Sequence, residues 1–316
     1  VIRRVTVVTN PRSGAGRGHG VAGATLAALT GREAEITEVR ADTAAESARL
    51  VADSVRDPES RPDAVVCVGG DGLVNVLLPA LANTGVPLGL VPAGTGNDLA
   101  RELGIPVDDP VAAVELLLAG HTRTLDLGSI ERAAGEQWFV TVAGTGFDAR
   151  VTLRANAMRR PRGALRYTVA ALAELGSGLG VSYRLELAGL APGALDNPAT
   201  ADGRAVLETE AVMVAIGNTR TYGGGMLICP DAEPDDGLLD LTVVGAVSRP
   251  AMLRLLPALS AGRRIDHPAT TQLRCAEVTL TAPGAPATAD GEPAGELPIR
   301  VRAVPAALRV LVPSRR

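Results

Sequence analysis

The sequence predicts an α/β amino-terminal domain built on a parallel sheet, followed by an antiparallel β-sandwich domain. A chain of 316 residues is long enough for about two domains of ~100–200 residues each. Over roughly the first 125 residues strand-like and helix-like stretches alternate, as in a parallel sheet with crossover helices. Beyond Asp126 the pattern changes to a period of two, broken by turns rich in Gly, Pro, Asn and Asp, as in antiparallel strands. The division is therefore expected at residues 1–126 and 127–316, with the last strand free to pack back on the first domain.

In the first domain, Val5–Thr9 is a β-branched run that breaks at Asn10-Pro11-Arg12-Ser13-Gly14. A helix is expected through Gly20–Leu29 and a strand at Ile36–Arg40. Thr43–Val55 places Ala44, Ala48, Val51 and Val55 at helical spacing. A strand at Val65–Val68, a helix through Val74–Leu81 and a strand at Leu88–Val91 follow. A short helix is expected from Asp98 to about Leu103, and another at Val111–Leu118. The second domain offers strands at Val181–Leu187, Val206–Ile216, Leu239–Val244, Val278–Leu280, Ile299–Val304 and Leu308–Val312. Helices are expected near Ala164–Leu175 and Pro250–Ala261, and Pro192–Gly203 lacks apolar pattern and reads as a mobile hairpin tip.

Composition narrows the function. No apolar run approaches the ~20 residues of a membrane span, and Val1–Thr9 reads as a strand rather than a signal peptide. A cytoplasmic protein, peripheral at a membrane at most, is expected. The separated cysteines Cys67, Cys229 and Cys275 read as buried free thiols. A net charge of −4 and few aromatics argue against nucleic acid. His19, His121 and His267 have no zinc spacing. Every basic residue is arginine, which excludes the lysine-dependent phosphate loops of P-loop and protein kinases and Schiff-base catalysis. Phosphate must be held by arginine, metal ions and backbone amides.

Two turns carry the chemistry, Gly69-Gly70-Asp71-Gly72 and Pro92-Ala93-Gly94-Thr95-Gly96-Asn97-Asp98. Each follows a buried-strand pattern and opens a helix, where glycine allows close backbone approach and free amides favour anions. An aspartate beside phosphate implies a metal ion. Together they predict a Mg²⁺-nucleotide site at the carboxyl ends of the strands. Asn97-Asp98 also reads as a helix-capping pair, which is compatible with phosphate binding at a helix start, and Thr43 could equally cap the helix it begins.

These segments resemble, in order, the motifs of the diacylglycerol kinase and sphingosine kinase superfamily, in its bacterial lipid kinase branch. Asn10–Gly14 is similar to its NPxSG loop, Gly69–Gly72 to GGDGT, and Gly94–Arg101 to GTGNDLAR. Leu125–Gly128, Gly144–Ala149 (GTGFDA), Gly217–Asp240 and Asp290-Gly291-Glu292 complete the series. The resemblance implies ATP and Mg²⁺ as cofactors and the fold shared by NAD kinase and diacylglycerol kinase. It implies that Asp71 helps hold the catalytic Mg²⁺ and that Asn10, Ser13, Thr43, Gly70, Gly72, Asn75, Gly94, Thr95 and Asn97 line the nucleotide site. Glu292 would be the general base, with Asp71, Asp98 and Asp126 as an acidic network that orients it. Glu292 also lies in ordinary hairpin chemistry, Ala289-Asp290-Gly291. A second, structural Mg²⁺ would sit on Glu233, Asp236 and Leu238, which otherwise read as a solvated acidic turn.

Two positions depart from the family pattern. Leu73 stands where the family has the threonine of GGDGT, and Val76 where bacterial members usually have glutamate. Losing that hydroxyl could cost ~1.5–3 kcal/mol of phosphate binding. Arg150, Arg154, Arg159, Arg160, Arg162 and Arg166 form a run with no acidic residue, either a solvated face or a patch for an anionic membrane surface. The expected function is ATP-dependent phosphorylation of diacylglycerol or a related lipid held between the domains, with a homodimer left open. A non-catalytic nucleotide- or lipid-binding relative, a kinase of a non-lipid alcohol and, less favoured, an NAD kinase are the alternatives.

Overall fold

The computed structural model describes residues 2–9, 18–32, 34–132, 135–161, 165–176, 180–191, 203–264 and 267–314. Asn10, Ser13, Arg162 and residues 192–202 of the expected hairpin tip lie outside this set. Two compact units are formed, Val1–Leu127 with Pro305–Arg316, and Gly128–Val304.

The first unit contains β1 (Arg4–Thr9), α1 (Gly18–Thr30), β2 (Glu35–Val39), α2 (Ala44–Arg56), β3 (Ala64–Gly69), α3 (Asp71–Leu81), β4 (Leu88–Pro92), α4 (Asp98–Glu102) and α5 (Pro110–Ala119). Its strands are parallel, β1 pairing with β2 and β3, and β3 with β4. Strand alternation divides the core. Val5, Val7, Val66 and Val68 face Leu29 of α1 and Ala113, Val114 and Leu117 of α5, whereas Thr6 meets Ser54 of α2 at 3.4 Å. Both faces are thus covered by helices, which explains the nearly unbroken apolar strands. Thr43 caps α2 by accepting the amide of Glu46.

The second unit begins within β5 (Thr122–Arg132) and continues through β6 (Gly135–Phe139), β7 (Val142–Gly146), α6 (Phe147–Ala157), α7 (Leu165–Glu174), β8 (Val181–Leu190), β9 (Arg204–Gly217), β10 (Thr221–Tyr222), β11 (Met226–Leu227), β12 (Leu239–Gly245), α8 (Arg249–Ser260), β13 (Thr270–Thr281), β14 (Pro286–Ala289), β15 (Glu292–Glu296) and β16 (Ile299–Leu311). Its strand pairings among the described residues are antiparallel. The long strands β9 and β13 each change partner along their length. Ala211 pairs with both Val181 and Gly245, and Cys275 with both Leu239 and Leu190. Strands shared in this way fold the sheet over on itself around Phe139, Leu185, Ile216, Leu241, Leu273 and Val278. A second apolar cluster joins α6, α7 and α8 to the other side chains of β9.

One expectation needs correction. Ile299–Val304 and Leu308–Val312 are not separate strands but the single strand β16. The strand passes Pro305, with Ala306 at φ 55° just beyond it. Helix α6 and strands β6, β7, β10, β11, β14 and β15 lie where the sequence pattern predicts no element.

Candidate active site

In the first unit the two glycine turns touch backbone to backbone. A Cβ placed on Gly94 would lie 2.6 Å from the Cα of Gly70, and one on Gly70 would lie 2.9 Å from the Cα of Gly94. The amide of Ala93 donates to the carbonyl of Gly69 at 2.8 Å and locks the pair. Glycine is required at 70 and 94 by this contact. At Gly72 an added Cβ meets nothing within 4 Å, so its lack of side chain leaves open space beside the turn. Gly72 and Thr95 are exposed, and Asp71, Asn75 and Gly94 partly so.

Asn97 occupies the capping position of α4 with φ 55° but does not cap it. Its side-chain oxygen accepts the Gly94 amide at 3.0 Å and its amide donates to the Gly94 carbonyl at 3.2 Å. The cap of α4 comes from the other turn, because Asp71 Oδ1 accepts the Leu99 amide at 3.3 Å. Asp71 thus ties the turns together. A single carboxylate with room for water and phosphate oxygens suits Mg²⁺, which is commonly held by one or two carboxylates plus substrate phosphate. Buried Asp98 is the first residue of α4, next to Leu99, and Asp126, buried on β5, accepts the Ala306 amide at 2.8 Å. Leu73 is buried, its Cδ2 lying 2.8 Å from a Cβ placed on Gly69. Its side chain therefore belongs to the core.

In the second unit, Glu292 is set by a hairpin between β14 and β15. Ala289 pairs with Glu292, and the two turn residues Asp290 and Gly291 have φ 49° and 81°, the mirror-image turn that suits a twisted hairpin. Asp290 is held by the amides of Val140 and Thr141 at 2.9 and 2.8 Å and by the Thr141 hydroxyl at 2.6 Å. Thr141 is in turn fixed by the amides of Asn218 and Thr219, which donate to its carbonyl. The Asn156 side chain donates to the Gly291 carbonyl at 2.9 Å. Glu292 itself is exposed. Partial desolvation and the charge of Asp290 raise its pKa above the ordinary glutamate value.

Asp148, within the GTGFDA segment, has no role predicted from the sequence. It opens α6, accepts the Tyr222 hydroxyl at 2.5 Å, and has its pKa pushed up to about 6 by burial. A Cβ on Gly144 would come 2.4 Å from Asp148 Oδ2, so the glycine of the same motif makes its room. An aspartate two residues after the second glycine of GTGFDA was the signal available in the sequence.

The expected second metal site does not fit a metal as these residues stand. Asp236 accepts the Leu238 amide at 3.0 Å with one oxygen and pairs with Arg274 through the other. Arg274 also reaches Asp240 at 3.3 Å, so a guanidinium already supplies positive charge at this turn. Glu233 is exposed on the same segment. The arginine run is altered too, because Arg150 and Arg154 both pair with buried Glu174 of α7, at 3.2 and 2.5 Å.

Residues 4–130 match the family described as diacylglycerol kinase catalytic domain. Residues 141–312 match the YegS C-terminal NAD kinase beta sandwich-like domain. The chain is 42% identical over 313 residues to a diacylglycerol kinase of Mycobacterium tuberculosis, covering 99% of this chain and 96% of that one. It is 31% identical over 275 residues to a probable lipid kinase YegS-like of Xanthomonas campestris pv. campestris, covering 84% and 82%. A crystal structure of a diacylglycerol kinase from Bacillus anthracis str. Sterne shares its fold, with a TM-score of 0.69 at 18% identity, covering 99% and 98%. The protein is thus a phosphotransferase with an alcohol group as acceptor. It belongs to the diacylglycerol kinase family, in its bacterial lipid kinase branch.

Proposed function

We propose that this protein transfers the γ-phosphate of ATP to the hydroxyl of diacylglycerol or a closely related lipid. The placement of Glu292 carries the reading. A hydroxyl must lose its proton as the new P–O bond forms, and a positioned carboxylate of raised pKa is suited to accept it. Fixing Asp290 fixes the turn, and the turn fixes where the Glu292 backbone begins. In the other unit, the amides and open space at Gly72 and the Thr95 hydroxyl are offered to phosphate. Asp71 would hold Mg²⁺, which when bound draws charge from the phosphate oxygens. Asp98 and Asp126 complete the acidic surroundings we assign to the reaction. Diacylglycerol is chosen as acceptor because the relative at 42% identity is a diacylglycerol kinase.

Phosphotransfer from ATP to a panel of lipids tests the reading. Glu292→Gln should lower kcat by about 10²–10⁴-fold, the range for losing a general base, and leave the KM for ATP unchanged. The wild-type rate should rise with pH through a limb lying above the ordinary glutamate value of 4.5. A wild-type protein that phosphorylates no lipid would rule the proposal out, and a fully active Glu292→Gln protein would remove Glu292 as its general base.

A further inference from the structure

Helix α7 turns one face into the second unit and leaves the opposite face uncovered. Ala170, Ala171 and Glu174 point inward and are buried. At 100° per residue, Leu165, Thr168, Val169 and Leu172 share the opposite side. Leu165 and Leu172 are 59% and 55% exposed, and Val169 is 40% exposed. No charged side chain interrupts this stripe. Cations flank it in the sequence: Arg159 and Arg160 are exposed and precede α7 by a few residues, and Arg166, on α7, lies over the Tyr167 ring at 5.0 Å. Arg249, opening α8, donates to the Gly176 carbonyl just after α7, so α8 brings a further arginine and exposed Leu253 and Arg254. Glu174, the one acid from residue 149 to residue 176, faces inward and is neutralised by Arg150 and Arg154.

We propose that the outer face of α7, with the arginines beside it, docks the protein on an anionic phospholipid bilayer. An apolar stripe flanked by arginine is the pattern of a helix that lies in the headgroup region, its apolar side chains in the acyl boundary and its cations on lipid phosphates. A second copy of this chain would bring the same arginines against one another, so charge complementarity selects the bilayer. The inference rests on the lipid kinase reading, since the acceptor of such an enzyme resides in a membrane. It moves the membrane contact away from Arg150 and Arg154, which serve Glu174, and onto a helix face that charge counting could not show.

Flotation of the full chain with vesicles tests this, using phosphatidylcholine alone and phosphatidylcholine with phosphatidylglycerol, both free of diacylglycerol and nucleotide. Binding is expected to the anionic vesicles only and should weaken with salt. Arg159→Gln with Arg160→Gln should lower the partition coefficient about 25-fold, near fivefold for each cation. Leu165→Asp with Leu172→Asp should abolish binding while leaving the thermal midpoint in place, because both side chains are exposed. Absence of wild-type binding to anionic vesicles would overturn the proposal, as would unaltered binding by both variants. A concentration-dependent dimer broken by the leucine changes, without vesicle binding, would assign the face to a second copy instead. The vesicles carry neither diacylglycerol nor nucleotide, so docking is read apart from catalysis, and docking by a protein that phosphorylates nothing in the lipid panel would refute only the function proposed above. Phosphorylation of a dispersed short-chain acceptor without docking would refute only this inference.

Discussion

Asp148 and Arg274 show how single residues set the response of this protein to pH and to ions. Burial raises the folded-state pKa of Asp148 to about 6 from an unfolded value near 3.8. The folded state therefore holds that proton more tightly. The stability this provides is fully present below about pH 4 and is lost as the pH rises to about 6. Asp148→Asn, which keeps an acceptor for Tyr222, should match wild type at pH 4 and exceed it at pH 7.5 by on the order of 2 kcal/mol. Thermal or urea unfolding at the two pH values checks this, and equal stability at pH 7.5 would contradict it. Arg274 compensates Asp236 and Asp240, whose own pKa is pushed up to about 6, chiefly by burial. Wild-type stability should be the same in Mg²⁺ and in EDTA when nucleotide is absent. Arg274→Ala should cost about 1.5–3 kcal/mol at pH 7.5, the worth of hydrogen bonds to charged groups, and less at pH 5, where Asp240 is neutral. A Mg²⁺-dependent wild-type midpoint would show that a metal serves this turn after all.

At the level of elements, the two glycine turns have different needs although their sequences look alike. Gly94→Ala forces a methyl group to 2.6 Å from the backbone of Gly70 and should separate the turns, lowering both thermal stability and nucleotide affinity. Gly72→Ala adds a methyl group into open space. It should leave the midpoint within about 1 kcal/mol of wild type, helix propensity even favouring alanine, and weaken ATP binding if phosphate lies where we place it. Calorimetric titration with ATP beside thermal unfolding separates the cases. Unchanged affinity in a stable Gly72→Ala protein would remove phosphate from that turn. The turns themselves were legible because strand, glycine and helix start are local patterns. The residue types alone leave the work of Asn97 open, because capping residues and turn residues are the same types; the family resemblance implies that it organises the loop, and the folded loop shows its amide bent back onto Gly94.

For the molecule as a whole, the carboxyl-terminal segment is a structural requirement of the first unit. Leu308, Val310 and Leu311 are buried, Val310 pairs in parallel with Leu88, Asn83 donates to the Ala307 carbonyl and Val312 to that of His121. Truncation after Val304 should strip amide-exchange protection from β4 and lower the unfolding midpoint. Full protection at Leu88–Pro92 in the truncated protein would contradict this role. Local sequence could not specify that pairing, since Leu308–Val312 alternates like any other half-buried strand and nothing in it names β4 as neighbour.

What the sequence by itself determined was the order of elements in the first domain, the change of fold class near Asp126, and the turns that mark a diacylglycerol kinase relative. Each depends on short-range periodicity or on glycine and aspartate at fixed spacing, and neighbours along the chain carry that information. Tertiary structure alone decided what long-range contacts decide. It joined Gly70 to Gly94, set Asp71 to cap α4, drew Arg150 and Arg154 onto Glu174, and gave Asp236 to Arg274. It also exposed one face of α7, whose apolar residues the sequence would assign to a core, because burial belongs to the neighbours a side chain meets and not to its own identity.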